Sequence, residues 1–323
     1  MSASKIEWTE VTWNPTTGCD RISPGCDHCY AMTMARRLKA MGSAKYQNDG
    51  DPRTSGPGFA VTMHQESVLE PILKWPRRGQ IVFLDSMSDV FHARVAADFH
   101  GQLFATMALT PQHTYQVLTK RPGRMRELLS DGGRVQAAMM DALWGLRRNG
   151  PSIPAWNTRW MLERTDGDCP WPLPNVWLGT SIESDEYAWR ADDLRETPAR
   201  IRFLSLEPLL SSLPSLDLSG IDWVIAGGES GPHARPAHPD WFRDIRNRCV
   251  SENVAFHFKQ WGEWAPGSCV PGEVKASEIF VGSTVEHGVR ATMRRVGKKA
   301  AGRELDGRTW DEFPKSFEGR ASA

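Results

Sequence analysis

The chain has 323 residues, 40% of them apolar and 24% charged, and its 39 lysines and arginines balance its 39 aspartates and glutamates. That is the composition of an ordinary globular protein built around one large domain. It excludes a membrane span, which needs about eighteen consecutive apolar residues, and a non-specific nucleic-acid binder held by its overall charge. The start, MSASKIEWTEVTW, lacks a basic segment followed by an apolar stretch and a small-residue cleavage site. The expectation is therefore a cytoplasmic protein with no membrane partner, in whose reducing surroundings six cysteines serve a metal or redox chemistry, not a disulfide scaffold.

In chain order, the Trp-rich start IEWTEVTW is followed by short apolar runs that read as buried strands. They are FAVTMH (59–64), IVFLDS (81–86), TYQVLT (114–119), VWLGTS (176–181), RFLSLE (202–207), WVIAGG (223–228) and AFHFK (255–259). Helix-like segments fall between them at 30–41, 93–109, 122–129, 185–196 and 239–252. Alternation of this kind predicts an α/β fold with a parallel sheet, a TIM-type (βα) barrel either complete or partial. Residues 131–174 interrupt the pattern with a helix-like piece and then Pro-, Gly- and Trp-rich stretches, read as an insertion or lid around Trp156, Trp160 and Trp171. The barrel is expected over 1–263, with 264–323 as a C-terminal extension packed on it.

Each apolar run ends in polar chemistry. The tips are Asp85 to Asp89, Thr119-Lys120-Arg121, Ser181-Ile182-Glu183, Glu207-Pro208, Gly227-Gly228-Glu229-Ser230 and Lys259-Gln260. In a parallel barrel the strand C-termini share one rim, so these tips are expected to form an active site with Lys120, Glu229 and Lys259 as catalytic candidates. Acidic tips could instead pair with Lys120 or Lys259. Basic clusters at 74–79, 120–126 and 293–299 are candidates for phosphate contact, Lys120 and Arg121 foremost, or simply solvated turns.

Cys19, Cys26 and Cys29 lie between the first strand and the first helix, spaced C-x6-C-x2-C. Such a set can hold three irons of a [4Fe-4S] cluster. It can equally hold structural zinc with His28, Cys169, Cys249 or Cys269 as a fourth ligand, although His28 directly precedes Cys29 and is awkward for one tetrahedral ion. Spacing alone leaves both open.

A three-cysteine loop after the first strand of a βα barrel, with His28 before the last cysteine, resembles the radical S-adenosylmethionine (radical SAM) superfamily. The usual spacing there is C-x3-C-x2-C, and this chain departs from it between Cys19 and Cys26. The pattern TWNPTTGC, SMSD, LTKRP, LSLEPL, GGESG, KQWG and GKKAAGRELDGRTW resembles a phage-encoded, radical SAM-like branch.

The resemblance implies a [4Fe-4S] cluster on the three cysteines and S-adenosyl-L-methionine on its open iron. Ser86, Ser88 and Asp89 stand where the superfamily receives the cofactor's amine. Ser181, Glu183 and Glu207 are candidates for its carboxylate and ribose, with His28 beside the cluster, and the glycines of GGES for close approach of adenine or substrate. The activity implied is reductive cleavage of the cofactor to a 5′-deoxyadenosyl radical that takes a hydrogen from substrate. Flavodoxin or ferredoxin would supply the electron. The implied substrate is a nucleotide or DNA, such as a modified thymine in phage DNA undergoing isomerisation, and the location is then the host cytoplasm. Two other readings stand beside it, a zinc-stabilised non-catalytic module binding nucleic acid or protein, and a radical SAM DNA repair lyase.

Overall fold

The structure, a computed structural model, describes residues 4, 6–166, 169–269, 276–282 and 290–315. Its elements in chain order begin with β1 (Val11–Trp13), β2 (Thr16–Thr17), α1 (Tyr30–Ala40), β3 (Thr62–Met63), α2 (Gln65–Val68), α3 (Glu70–Leu73), β4 (Ile81–Leu84) and α4 (Ala97–Leu109). There follow β5 (Thr114–Thr119), α5 (Pro122–Leu129), α6 (Gly132–Asn149), α7 (Ala155–Asp166), β6 (Val176–Ser181), α8 (Arg190–Glu196), β7 (Ile201–Leu206) and β8 (Trp223–Gly227). The last are α9 (Pro239–Glu252), β9 (Ala255–Gln260), β10 (Trp264–Pro266), β11 (Glu278–Val281) and β12 (Ala291–Arg295).

The fold is α/β, with a seven-stranded sheet in the order β1-β4-β5-β6-β7-β8-β9. Among the described residues these are seven strands and not eight, so of the two barrels expected they are compatible with the partial one. The strands carry continuous apolar runs, as parallel strands covered on both faces do, and β6 and β8 are buried along their whole length.

The chain divides into two compact units. The first comprises Met1–Ile22, Cys29–Thr180 and Asp193–Arg202. In it β1 pairs in parallel with β4, β4 with β5 and β5 with β6. The run 59–64 is not a core strand here. Only Thr62–Met63 is extended, pairing antiparallel with β2, while Phe59 is buried among Ala31, Ala35, Tyr46 and Met87. Positive φ angles at Gly56 and Gly58 turn the chain just before Phe59 and cut the strand short.

Residues 131–174 hold two helices, α6 and α7, where a lid was expected. Leu143 and Met161 join Ile72, Ala105 and Leu109 in one buried cluster, with Trp160 packed against it. Trp171 lies edge-on to Phe104 at 5.4 Å. Trp160 and Trp171 are therefore packing residues; the side chain of Trp156 is outside those described.

The second unit comprises Ser23–His28, Ser181–Asp192 and Phe203–Ala323. Here β7, β8 and β9 run parallel, and β10, β12 and β11 form a small antiparallel sheet in that order. Residues 310–312 return along β9. Phe258 N donates to Trp310 O at 2.9 Å and Phe256 N to the Glu312 carboxylate at 3.0 Å, so backbone groups on that edge are paired. Of the expected extension, 270–275, 283–289 and 316–323 lie outside the described residues.

Candidate functional site

In the first unit the site starts where β4 ends. Asp85 takes a left-handed conformation with φ of 59°, and its carboxylate accepts Thr16 Oγ1 at 2.6 Å and Thr16 N at 3.2 Å. Ser88 Oγ donates to Thr16 O at 3.0 Å, and Ser86 Oγ to Asn14 Oδ1 at 3.2 Å. The next step of the chain is fixed by Gly18, whose N–H donates to Met87 O at 3.0 Å. A Cβ on Gly18 would sit 2.1 Å from Ala60 O, and its φ is +83°, so only glycine fits. The cysteine loop thereby leaves the sheet beside the end of β4.

Cys19 follows directly. Its sulfur receives a hydrogen bond from Arg121 Nη1 at 3.2 Å, and the same guanidinium holds Asp89 Oδ2 at 2.9 Å and, through Nη2, Asp20 O at 3.0 Å. Cys19 and Cys29 both pack against the cluster of Ala31, Ala35, Tyr46, Phe59 and Met87. Cys29 is the N-cap of α1, where unpaired backbone N–H groups favour negative charge. All three loop cysteines are half-buried and outside any disulfide.

Asp89 has a different task from the cofactor contact expected of it. Oδ1 accepts Phe91 N at 3.1 Å and Thr119 Oγ1 at 2.7 Å, while Oδ2 accepts Lys120 N at 3.1 Å and Arg121. Four donors occupy the lone pairs of one carboxylate, leaving none for a cofactor amine. Arg121, expected to face phosphate, points inward with its side chain 14% exposed. Lys120 remains half-buried at the end of β5.

Asp85 gives this rim a pH signature. Burial pushes its carboxyl up to about 7, with the Asp89 charge adding to the rise, against hydrogen bonds from Thr16 and Ser88 that favour ionisation. An unfolded aspartate titrates near ~3.9, so between those values the native state holds the extra proton. Stability from this group thus falls as pH rises through that window and stays low above it. Asp85→Asn, compatible with the left-handed backbone, is neutral throughout. Its stability relative to wild type is expected to climb from about pH 5 to about pH 8, by roughly 1.4 kcal/mol per unit inside the window. Urea unfolding at both pH values checks this, and parallel pH profiles would refute the protonated Asp85.

In the second unit three acidic tips are each engaged. Glu183, fully buried, accepts Arg190 Nη1 at 3.0 Å and Gly25 N at 3.3 Å. Glu229 accepts Arg235 through both Nε (2.9 Å) and Nη2 (2.6 Å) and meets His28 Nδ1 at 3.2 Å. These electrostatic partners hold the Glu229 carboxyl below the usual range despite burial, which opposes ionisation and is the largest single influence. Glu207 meets Lys259 Nζ at 2.9 Å and Gln260 Nε2 at 3.1 Å, so the alternative of an acidic tip pairing with Lys259 holds. Ser181 is buried, and its carbonyl accepts Arg190 at 2.9 Å. Of the glycines of GGES, Gly228 allows a close loop approach, since a Cβ there would lie 1.9 Å from Trp261 O, and Gly227 lies against the Glu207 side chain. Cys26 lies in a short 3-10 turn, Pro24–Cys26, its sulfur 3.9 Å from Ser23 Oγ.

Among the described residues no three His, Cys, Asp or Glu side chains are drawn together as a ready metal centre. The loop offers three thiols outside any disulfide, the soft ligand type suited to an iron–sulfur cluster or zinc. The distant cysteines suit neither: burial raises the Cys169 thiol and pushes Cys249 up to about 12, which holds both protonated. Arg121, Arg190 and Arg235, the partners that decide what the acidic tips do, were not expected from sequence.

A curled sheet of seven parallel strands with helices between them defines the class: an α/β protein compatible with a partial TIM-type barrel. The chain belongs to the DUF5131 family, described as a protein of unknown function, whose model matches residues 3–314. Comparisons with curated proteins and with solved structures returned no match. No described helix is long and apolar enough to cross a membrane.

Proposed function

We propose that the protein is a radical SAM iron–sulfur enzyme in which Cys19, Cys26 and Cys29 hold a [4Fe-4S] cluster. The observation that carries this reading is the presentation of Cys19. A glycine that cannot be replaced sets it at the end of β4, and the inward-facing, half-buried Arg121 guanidinium donates to its sulfur. A charge-assisted donor on sulfur favours thiolate ligation over an inert buried thiol. When bound, such a cluster and S-adenosylmethionine supply reductive carbon–sulfur cleavage and a 5′-deoxyadenosyl radical that abstracts hydrogen from substrate.

The chain's own residues do the remaining work. Arg121 spreads the charge of the Cys19 sulfur and ties it to Asp89. Ser86 and Ser88 keep hydroxyl oxygens able to accept at the end of β4, which suits a cofactor ammonium. Glu207, 18% exposed, and Ser181 are the remaining candidates for ribose or carboxylate contact, and Lys259 Nζ donates to Glu207 at 2.9 Å. Asp89, Glu183 and Glu229 are assigned to structure around the site. The substrate class of this reading is a nucleotide unit, free or in DNA, with an electron donor of the flavodoxin or ferredoxin kind. Lys120, half-buried at the end of β5, is the candidate for its phosphate.

Dithionite-reduced, reconstituted protein is expected to release 5′-deoxyadenosine from S-adenosylmethionine, slowly even without substrate. No release from protein carrying full iron and sulfide would overturn the reading.

A further inference from the structure

The segment 23–28, which carries Cys26, packs little: Ser23 is its one buried residue, and the His28 ring lies 5.7 Å from that of His233. Its short turn Pro24–Cys26 contributes no buried residue. Such a piece samples many conformations unless something else restrains it, at about 1–2 kcal/mol of backbone entropy per residue fixed. The restraint is polar and comes from two sides of Cys26 within the same unit.

On one side the fully buried Glu183 is held by Arg190 and gives its other oxygen to the Gly25 amide at 3.3 Å. On the other, Arg235 grips Glu229 bidentately and sends Nη2 to Pro24 O at 2.9 Å, with Asp27 Oδ2 at 3.5 Å from Nη1. Glu229 completes the hold through His28 Nδ1 at 3.2 Å. Backbone groups before Cys26 and side chains after it are thus fixed by two carboxylate–arginine couples. A buried ion pair gains little net stability over apolar packing, but it does impose geometry.

We propose that Glu183 with Arg190 and Glu229 with Arg235 are positioning pairs that clamp the 23–28 segment and so present Cys26 in one fixed place. The clamp deepens the reading above, since it makes these two acidic residues serve the cysteine loop and not the cofactor or the chemistry. It also explains why both sit at strand ends: a strand terminus is the stiffest anchor available to a loop that cannot pack.

The test uses Arg235→Met and Glu229→Gln in the full-length chain, since Glu183 is too deeply buried to change safely. Hydrogen exchange by mass spectrometry on metal-free protein reads the clamp directly. Both variants are expected to exchange amides 25–28 at least about tenfold faster, the loss of one to two hydrogen bonds, while α9 and β9 keep wild-type protection. Iron bound after reconstitution is expected to fall in both variants, and in Glu229→Gln, which leaves no buried carboxylate charge, with little loss of thermal stability. Unaltered exchange in 25–28 overturns the clamp, and so does a loss of protection spread across the whole unit. Wild-type protein that takes up no iron sinks the cluster reading separately, and the exchange comparison still decides the clamp.

Discussion

Replacing Cys19, Cys26 or Cys29 with alanine is expected to abolish iron and sulfide binding after anaerobic reconstitution, whereas the same change at Cys169, Cys249 or Cys269 leaves both intact. The contrast follows from environment. The first three are half-buried thiols of one loop, Cys19 beside a guanidinium and Cys29 at a helix start. Cys169 and Cys249 are buried, with thiols held protonated, and Cys269 is exposed beside Ser268. A three-thiolate site has no ligand to spare, so each loss is expected to be near complete. Full retention of iron in any one of the three variants removes that cysteine from the set.

Arg190→Met is expected to destabilise the protein by about 3–5 kcal/mol, because it leaves the Glu183 carboxylate buried without its counter-charge. The side chains are 2% and 0% exposed, so water cannot replace the arginine. The variant also loses the hydrogen bond to Ser181 O and the stacking of the guanidinium on Tyr187, 4.2 Å from its ring centre. Urea unfolding measures the loss. The double change Arg190→Met with Glu183→Leu is expected to recover part of it, since an apolar pair needs no compensation. A single-variant effect below about 1 kcal/mol would mean that Glu183 is hydrated or protonated in the native state.

Much of the fold was legible. The strand runs at 114–119 and 176–181 and the helices at 122–129 and 239–252 are found where the apolar periodicity and the prolines at their starts put them. The run at 59–64 misled because its alternation resembles a strand, while Gly56 and Gly58 turn the chain before it and bury Phe59 against a helix. The segment 131–174 reads as an insertion or lid with one helix-like piece, and its proline- and tryptophan-rich end does not reveal that Leu143 and Met161 pack with Ala105 and Leu109 of α4.

The site was legible in position and not in partnership. Asp89, Glu183, Glu207 and Glu229 lie at or just beyond strand ends, and of their partners only Lys259 was foreseen, as a partner for an acidic tip left unnamed. Asp89 is saturated by Arg121 and by donors of its own and the next strand's turn, and Glu229 by an arginine six residues on. Such partnerships depend on the direction in which a loop leaves the sheet, which residue identity alone does not encode. Two of the cluster residues also have acidic partners that residue identity did not reveal: Arg126 pairs with Asp193 and Arg294 with Glu278.

The central claim is that the cysteine loop holds a redox cluster and not a structural ion. Metal and acid-labile sulfide analysis of anaerobically purified, reconstituted protein, with its visible spectrum, tests it most directly. The account predicts a brown protein with four irons and four sulfides per chain, as a [4Fe-4S] centre requires. A colourless, folded protein carrying one zinc per chain and no sulfide would contradict it.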